Sequence, residues 1–236
     1  MTTTQQTQQQ RITTPSEALP PDGLSRFVRA GAWAAIASGL AMVVSMLMLW
    51  LVVPFERLGE IEAYFTSSYL VASSLLLLSI VLLLWGLIGI YSRQSRAAGN
   101  FGMWAFIVAF LGTGLVAGNN WAQVFVWPTF AQVAPNLIST QVMSGQAHPS
   151  PYLTAGLGLS APFFFIGLIL FAVATIRAGV YPRWASVLLI ISIPATMFLD
   201  PTVGAFQESI GQILLGIAVA ALGFYALRTA PSTTSS

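Results

Sequence analysis

The chain has 236 residues, 56% of them hydrophobic and only 7% charged, where an ordinary soluble domain is about a quarter charged. So few charges cannot cover a soluble fold of this size, and the class indicated is an all-α, polytopic membrane helix bundle. The net charge of +2 comes with nine arginines, no lysine, no cysteine and a single histidine, His148; this excludes lysine Schiff bases, disulfides, thiolate nucleophiles, cysteine-ligated metals and bis-histidine haem within the chain.

Residues 1–25 are rich in Thr and Gln, with three prolines and no apolar core, and read as a disordered tail without the apolar region of a signal peptide. Apolar runs then occur at about 27–53, 67–91, 101–127, 153–176, 185–200 and 206–227. Each meets or approaches the roughly 20 residues a bilayer core requires, and in lipid such runs satisfy their backbone groups as helices. The fifth is the shortest and contains Pro194, a candidate kink. A six-helix domain over 26–228 is therefore expected, followed by a second disordered tail at 229–236. No nucleic-acid partner, metal or cofactor is indicated; the expected surroundings are the lipid bilayer of the cell membrane.

The arginines give the expected direction. Arg11, Arg26 and Arg29 precede the first run, Arg93 and Arg96 separate the second from the third, Arg177 and Arg183 separate the fourth from the fifth, and Arg228 follows the sixth. In a six-span arrangement these fall on one side, and only Arg57 falls on the other. Positive charge stays cytoplasmic, which places both termini inside.

Runs one, three and five each open with a Trp-Ala pair: Trp33-Ala34, Trp104-Ala105 and Trp184-Ala185. A hairpin repeated three times would produce this echo, and so would the preference of interfaces for Trp, Tyr and Arg. The corner RAGVYPRWASVLLII, 177–191, resembles the Pro-Arg-Trp corner of several families of small bacterial integral membrane proteins. The resemblance covers that corner and the six-span plan, and implies architecture without an activity.

The most specific stretch is LVAGNNWAQVFVWP, 115–128. Asn119 lies roughly 27 Å along a helix starting near Phe101, at the far interface rather than the bilayer centre. Asn119 and Gln123 share a face, with Asn120 beside them. Gly114 and Gly118 form a GxxxG pair which, with Gly112 and Ala117, makes a small-residue surface for close helix packing. The sixth run opens FQESIGQ, 206–212, placing Glu208 and Gln212 on one face. The connection at about 128–152 carries no formal charge apart from His148; its length and apolar residues point to packing over the bundle or in the interface.

Three functions can be weighed. An outward-facing vestibule lined by Asn119, Asn120, Gln123, Glu208 and Gln212, with Trp121 or Trp127 as an aromatic wall, would bind or transport a small polar or cationic ligand. The same residues would instead serve an assembly subunit, gluing helices within a homo-oligomer or to membrane-protein partners. Each residue also has a plain alternative: amides that meet headgroup water, Glu208 as a first-turn residue favoured by the helix dipole, His148 as a solvated loop residue, tryptophans as an interfacial belt. An enzyme is the weakest reading, because the candidate groups are His148, Asp200 and Glu208, with no Ser-His or His-Glu metal spacing among them.

Overall fold

The computed structural model describes residues 21–53, 66–126, 128, 129, 132, 151–198 and 205–228, the side chains of 21–25, 151–154, 157, 197–198 and 205–209 excepted. The described residues form five long helices: α1 (Pro21–Leu51), α2 (Ser67–Phe125), α3 (Pro151–Ala178), α4 (Arg183–Phe198) and α5 (Ala205–Arg228). No strand occurs among the described residues. The helix that the sequence reading starts at about 27 begins at Pro21, inside the stretch expected to be a disordered tail. Proline suits a first helical turn, since its missing N–H would have had no partner there. The remainder of that tail, the tail at 229–236, His148 and Asp200 lie outside the described residues.

The largest difference from the sequence reading is α2, a single 59-residue element where two separate runs are expected. Its start is fixed by Thr66, whose hydroxyl oxygen accepts from the Tyr69 N–H at 3.2 Å, a helix cap. Helical geometry is interrupted only at Gly99, with φ 58° and ψ −158°, a backbone state that glycine reaches without the Cβ penalty. The chain reverses there. Tyr91 and Phe106 would lie about 22 Å apart along a continuous helix, yet their rings stack with centroids 4.5 Å apart and planes 10° from parallel. Helix α2 is thus a hairpin of two arms, 67–98 and 100–125, and the corner expected to need several residues needs one glycine.

The next corner shows equally local causes. Gly179 has φ 65°, and its N–H reaches the carbonyls of Thr175 and Ile176 at 3.3 Å each, the glycine ending of a helix. Pro182 follows and α4 begins at Arg183.

Packing relies on small residues. A Cβ added to Gly31 would sit 2.6 Å from Gly89 Cα, and one added to Gly167 would sit 2.6 Å from Ala109 Cα. Such approach lets backbones meet and gain dispersion contacts that longer side chains would prevent. Helix α1 packs between the first arm of α2 and α5, while the second arm packs on α3 and α4 lies against α5. These contacts define two ends. Phe27 meets Trp85 at 5.7 Å, Tyr181 reaches Ile90, Arg177 covers Phe101 and Trp184 meets Tyr225 at 6.2 Å, all at one end. Toward the other, Ser45 donates to the Ala72 carbonyl at 2.7 Å and Gly211 meets Thr196, while Gly112 meets Phe163 midway along the bundle.

Many large apolar side chains are exposed, and several polar ones are buried within an otherwise apolar core. Leu40, Leu51, Leu111, Ile166 and Ile191 face outward, while Ser38, Ser45, Ser79, Gln94, Thr113, Thr175 and Ser192 are buried. Four helices are long and apolar enough to cross a membrane, α2 counted once, and α4 is a shorter apolar helix.

Candidate functional site

The second arm of α2 carries the amides, and its register sorts them. At 100° per residue, Ala109, Gly112, Thr113, Val116, Asn120 and Val124 form one inward stripe, all buried except the half-buried Val116. Asn120 sits in this stripe, and its Nδ2 donates to the Val116 carbonyl at 2.9 Å. A fourth-preceding carbonyl is already used by the helix ladder, so this bond hides the amide within its own turn. Asn119 and Gln123 lie at the flank of the stripe and are half-buried. Among the described residues neither forms a hydrogen bond with a neighbour.

Three of the expected site residues lie on the outward side of the arm. Trp121 is 53% exposed and its ring lies against Phe125, at 5.6 Å, on the outward side of the helix rather than over the amides. Gly114 and Gly118 are also outward. A Cβ added at either would meet nothing within 4 Å, so no described part of this chain packs there. Gly112 takes the close-contact role instead: a Cβ there would come within 2.5 Å of the Phe163 carbonyl group. The reason is angular. Gly118 stands about 180° around the helix from buried Ala109, whereas Gly112 stays on the inward stripe.

The other half of the expected site is on α5. Gln212 is half-buried, and Gly211 beside it is packed against Thr196 of α4. The Glu208 side chain and Trp127 lie outside the described residues. The structure thus ties Asn119, Asn120 and Gln123 to the α2–α3 contact, and Gln212 to the α4–α5 contact. Both groups stand at the same end of the bundle.

The opposite end holds a polar cluster that the sequence reading did not single out. Gln94 is fully buried. Its Nε2 donates to Thr175 Oγ1 at 3.0 Å, and Thr175 donates onward to the Phe171 carbonyl at 2.8 Å. That relay fixes the amide orientation and leaves Gln94 Oε1 buried without a hydrogen-bond partner among the described residues. Tyr181 donates to the Ile90 carbonyl at 3.0 Å. Burial pushes the Tyr181 phenol well above its ordinary range, with the nearby Arg93 guanidinium acting in the opposite direction. A signal for Gln94 was present in the register: Leu83, Leu87, Ile90 and Gln94 recur at helical spacing on one buried face. Arg93 and Arg96 beside it interrupt the apolar pattern there.

Chemically, the amide end offers neutral donors and acceptors, and the arginine end offers fixed positive charge over aromatic rings. No family model, curated protein or solved structure matches this chain.

Proposed function

We propose that the chain is a six-span integral protein of the cell membrane, with both termini cytoplasmic, and that its amide end forms an outward-facing vestibule for a small polar or cationic ligand. The role is non-catalytic. The Gly99 reversal supports counting α2 as two spans, since its arms of about 48 and 39 Å each exceed a hydrocarbon core of about 30 Å. Helix α4 reaches the arginine end through Trp184 and the amide end through Thr196, which supports counting it as a span. With six spans, the one-sided arginines argue for cytoplasmic termini.

The observation that carries the ligand reading is the pair of half-buried amides, Asn119 and Gln123, whose side chains have no hydrogen-bond partner among the described residues, beside an Asn120 already spent on its own helix. An unsatisfied amide near the membrane is better turned to water or a ligand than to hydrocarbon. A second reading, an assembly subunit, is favoured by Gly114 and Gly118 facing away from the other described residues of the chain.

Native mass spectrometry after extraction in a mild detergent separates the two. A small molecule retained by wild type and lost from an Asn119→Leu/Gln123→Leu double variant of unchanged thermal stability supports the vestibule. A stoichiometric protein partner, lost on Gly118→Leu and retained by the double variant, supports assembly and refutes the ligand reading.

A further inference from the structure

The arginine end is more than an orientation signal, because its guanidiniums are held at defined stations. Arg26, Arg29, Arg96, Arg177, Arg183 and Arg228 are all exposed there, and no carboxylate stands among them in the described side chains. Two are fixed over aromatic rings. Arg177 on α3 lies 5.0 Å above the Phe101 ring, on the second arm of α2, and Arg228 lies 4.3 Å above the Phe224 ring. A cation–π contact restrains a guanidinium without consuming its N–H donors. Around them Trp33, Trp104 and Trp184 stand 60%, 62% and 50% exposed, the amphipathic rings expected at headgroup depth. The same end therefore offers restrained donors, a net excess of arginines over carboxylates and a depth marker.

We propose that this end is a binding surface for anionic phospholipid headgroups, with Arg177 and Arg228 as two of its phosphate stations. Charge complementarity selects the occupant. A phosphodiester at headgroup depth matches the forked guanidinium donors, and an anionic lipid adds net charge that a zwitterionic one lacks. The inference rests on the membrane reading above and is independent of the vestibule reading.

The test uses the full chain purified in a maltoside detergent, with thermal midpoint as the readout. Phosphatidylglycerol, phosphatidylcholine or inorganic phosphate is added at matched concentrations. Phosphatidylglycerol at about 100-fold above its Kd should raise the midpoint by roughly 5–10 °C, with phosphatidylcholine and inorganic phosphate leaving it near the starting value. Each of Arg177→Gln and Arg228→Gln should weaken the apparent affinity about five-fold, and the effect should shrink in high salt. Arg228→Gln is exposed on the last turn and leaves the core untouched. Arg228→Lys, which keeps the charge, should recover part of the affinity. Equal response to phosphatidylglycerol and phosphatidylcholine, an equal response to inorganic phosphate, or wild-type affinity in the Arg177→Gln/Arg228→Gln variant would each overturn the proposal. A chain that stays monodisperse without detergent would instead overturn the membrane reading beneath it.

Discussion

Gly112→Ala adds one methyl where the second arm of α2 touches α3. The new Cβ would sit 2.5 Å from the Phe163 carbonyl carbon and oxygen, about 1 Å inside ordinary van der Waals contact. The obstacle is backbone, which cannot rotate away as a flexible side chain would, so the two helices must separate. Overpacking of this kind costs about 1–3 kcal/mol, which in a chain of this size corresponds to a fall of roughly 2–12 °C in thermal midpoint. Gly118→Ala provides the matched control six residues on. Its Cβ meets open space, and replacing an exposed helical glycine removes a conformational cost, so its midpoint should stay level or rise slightly. Scanning fluorimetry of both variants in mild detergent reads the contrast directly. A Gly112→Ala protein as stable as wild type, or a Gly118→Ala protein destabilised as much as Gly112→Ala, would refute the register assigned to this arm.

Gln94 and Thr175 should respond with different magnitudes. Gln94→Leu loses one hydrogen bond but also removes a buried acceptor that lacks a partner among the described residues, so it should change stability by less than about 1 kcal/mol; Thr175→Val takes away the partner of the Gln94 Nε2 as well and should cost about 1–3 kcal/mol, measurable by the same fluorimetry. Tyr181 supplies a pH dependence. Its folded pKa is raised above the ordinary value of 10.0, chiefly by burial, so its contribution is complete below pH 10 and is lost as pH climbs beyond that toward the folded value. The wild-type midpoint should therefore fall more steeply above pH 10 than that of Tyr181→Phe, and parallel curves would count against a buried, neutral phenol. On the vestibule reading, Glu208→Gln should abolish retention of a cationic ligand without lowering the midpoint, whereas a lower midpoint alone would mark Glu208 as structural.

Much of the helical plan could be read from hydropathy, since the expected limits of the last three runs lie within two residues of α3, α4 and α5. Runs of Leu, Ile and Val fix where a helix lies because lipid leaves the backbone no other way to satisfy itself. The α2 hairpin was legible as two runs, but its tightness was not. That depends on one glycine taking a positive φ, which hydropathy does not encode. Glycine pattern was the least dependable guide. Gly114 and Gly118 have the spacing of a packing motif, yet spacing alone gives a face and not its direction, and buried Gly112 and Asn120 show that the inward face is elsewhere. The amides divided for the same reason: Asn120 falls in the inward stripe and Asn119 beside it. Gln94 was hidden by its charged neighbours, although three apolar residues at helical spacing before it mark its face.

Each arm of α2 is proposed to cross the membrane, and cysteine labelling tests this most directly because the chain contains no cysteine. Single cysteines at Ser67, Asn100 and Thr129 replace exposed residues at the start of the first arm, at the Gly99 turn and beyond the second arm. An impermeant thiol reagent applied to intact cells should label the cysteines at positions 67 and 129 and spare the one at position 100 until the membrane is opened. Labelling at position 100 in intact cells, or protection at either of the other two that ends only when the membrane is opened, would contradict the hairpin topology and the orientation drawn from the arginines.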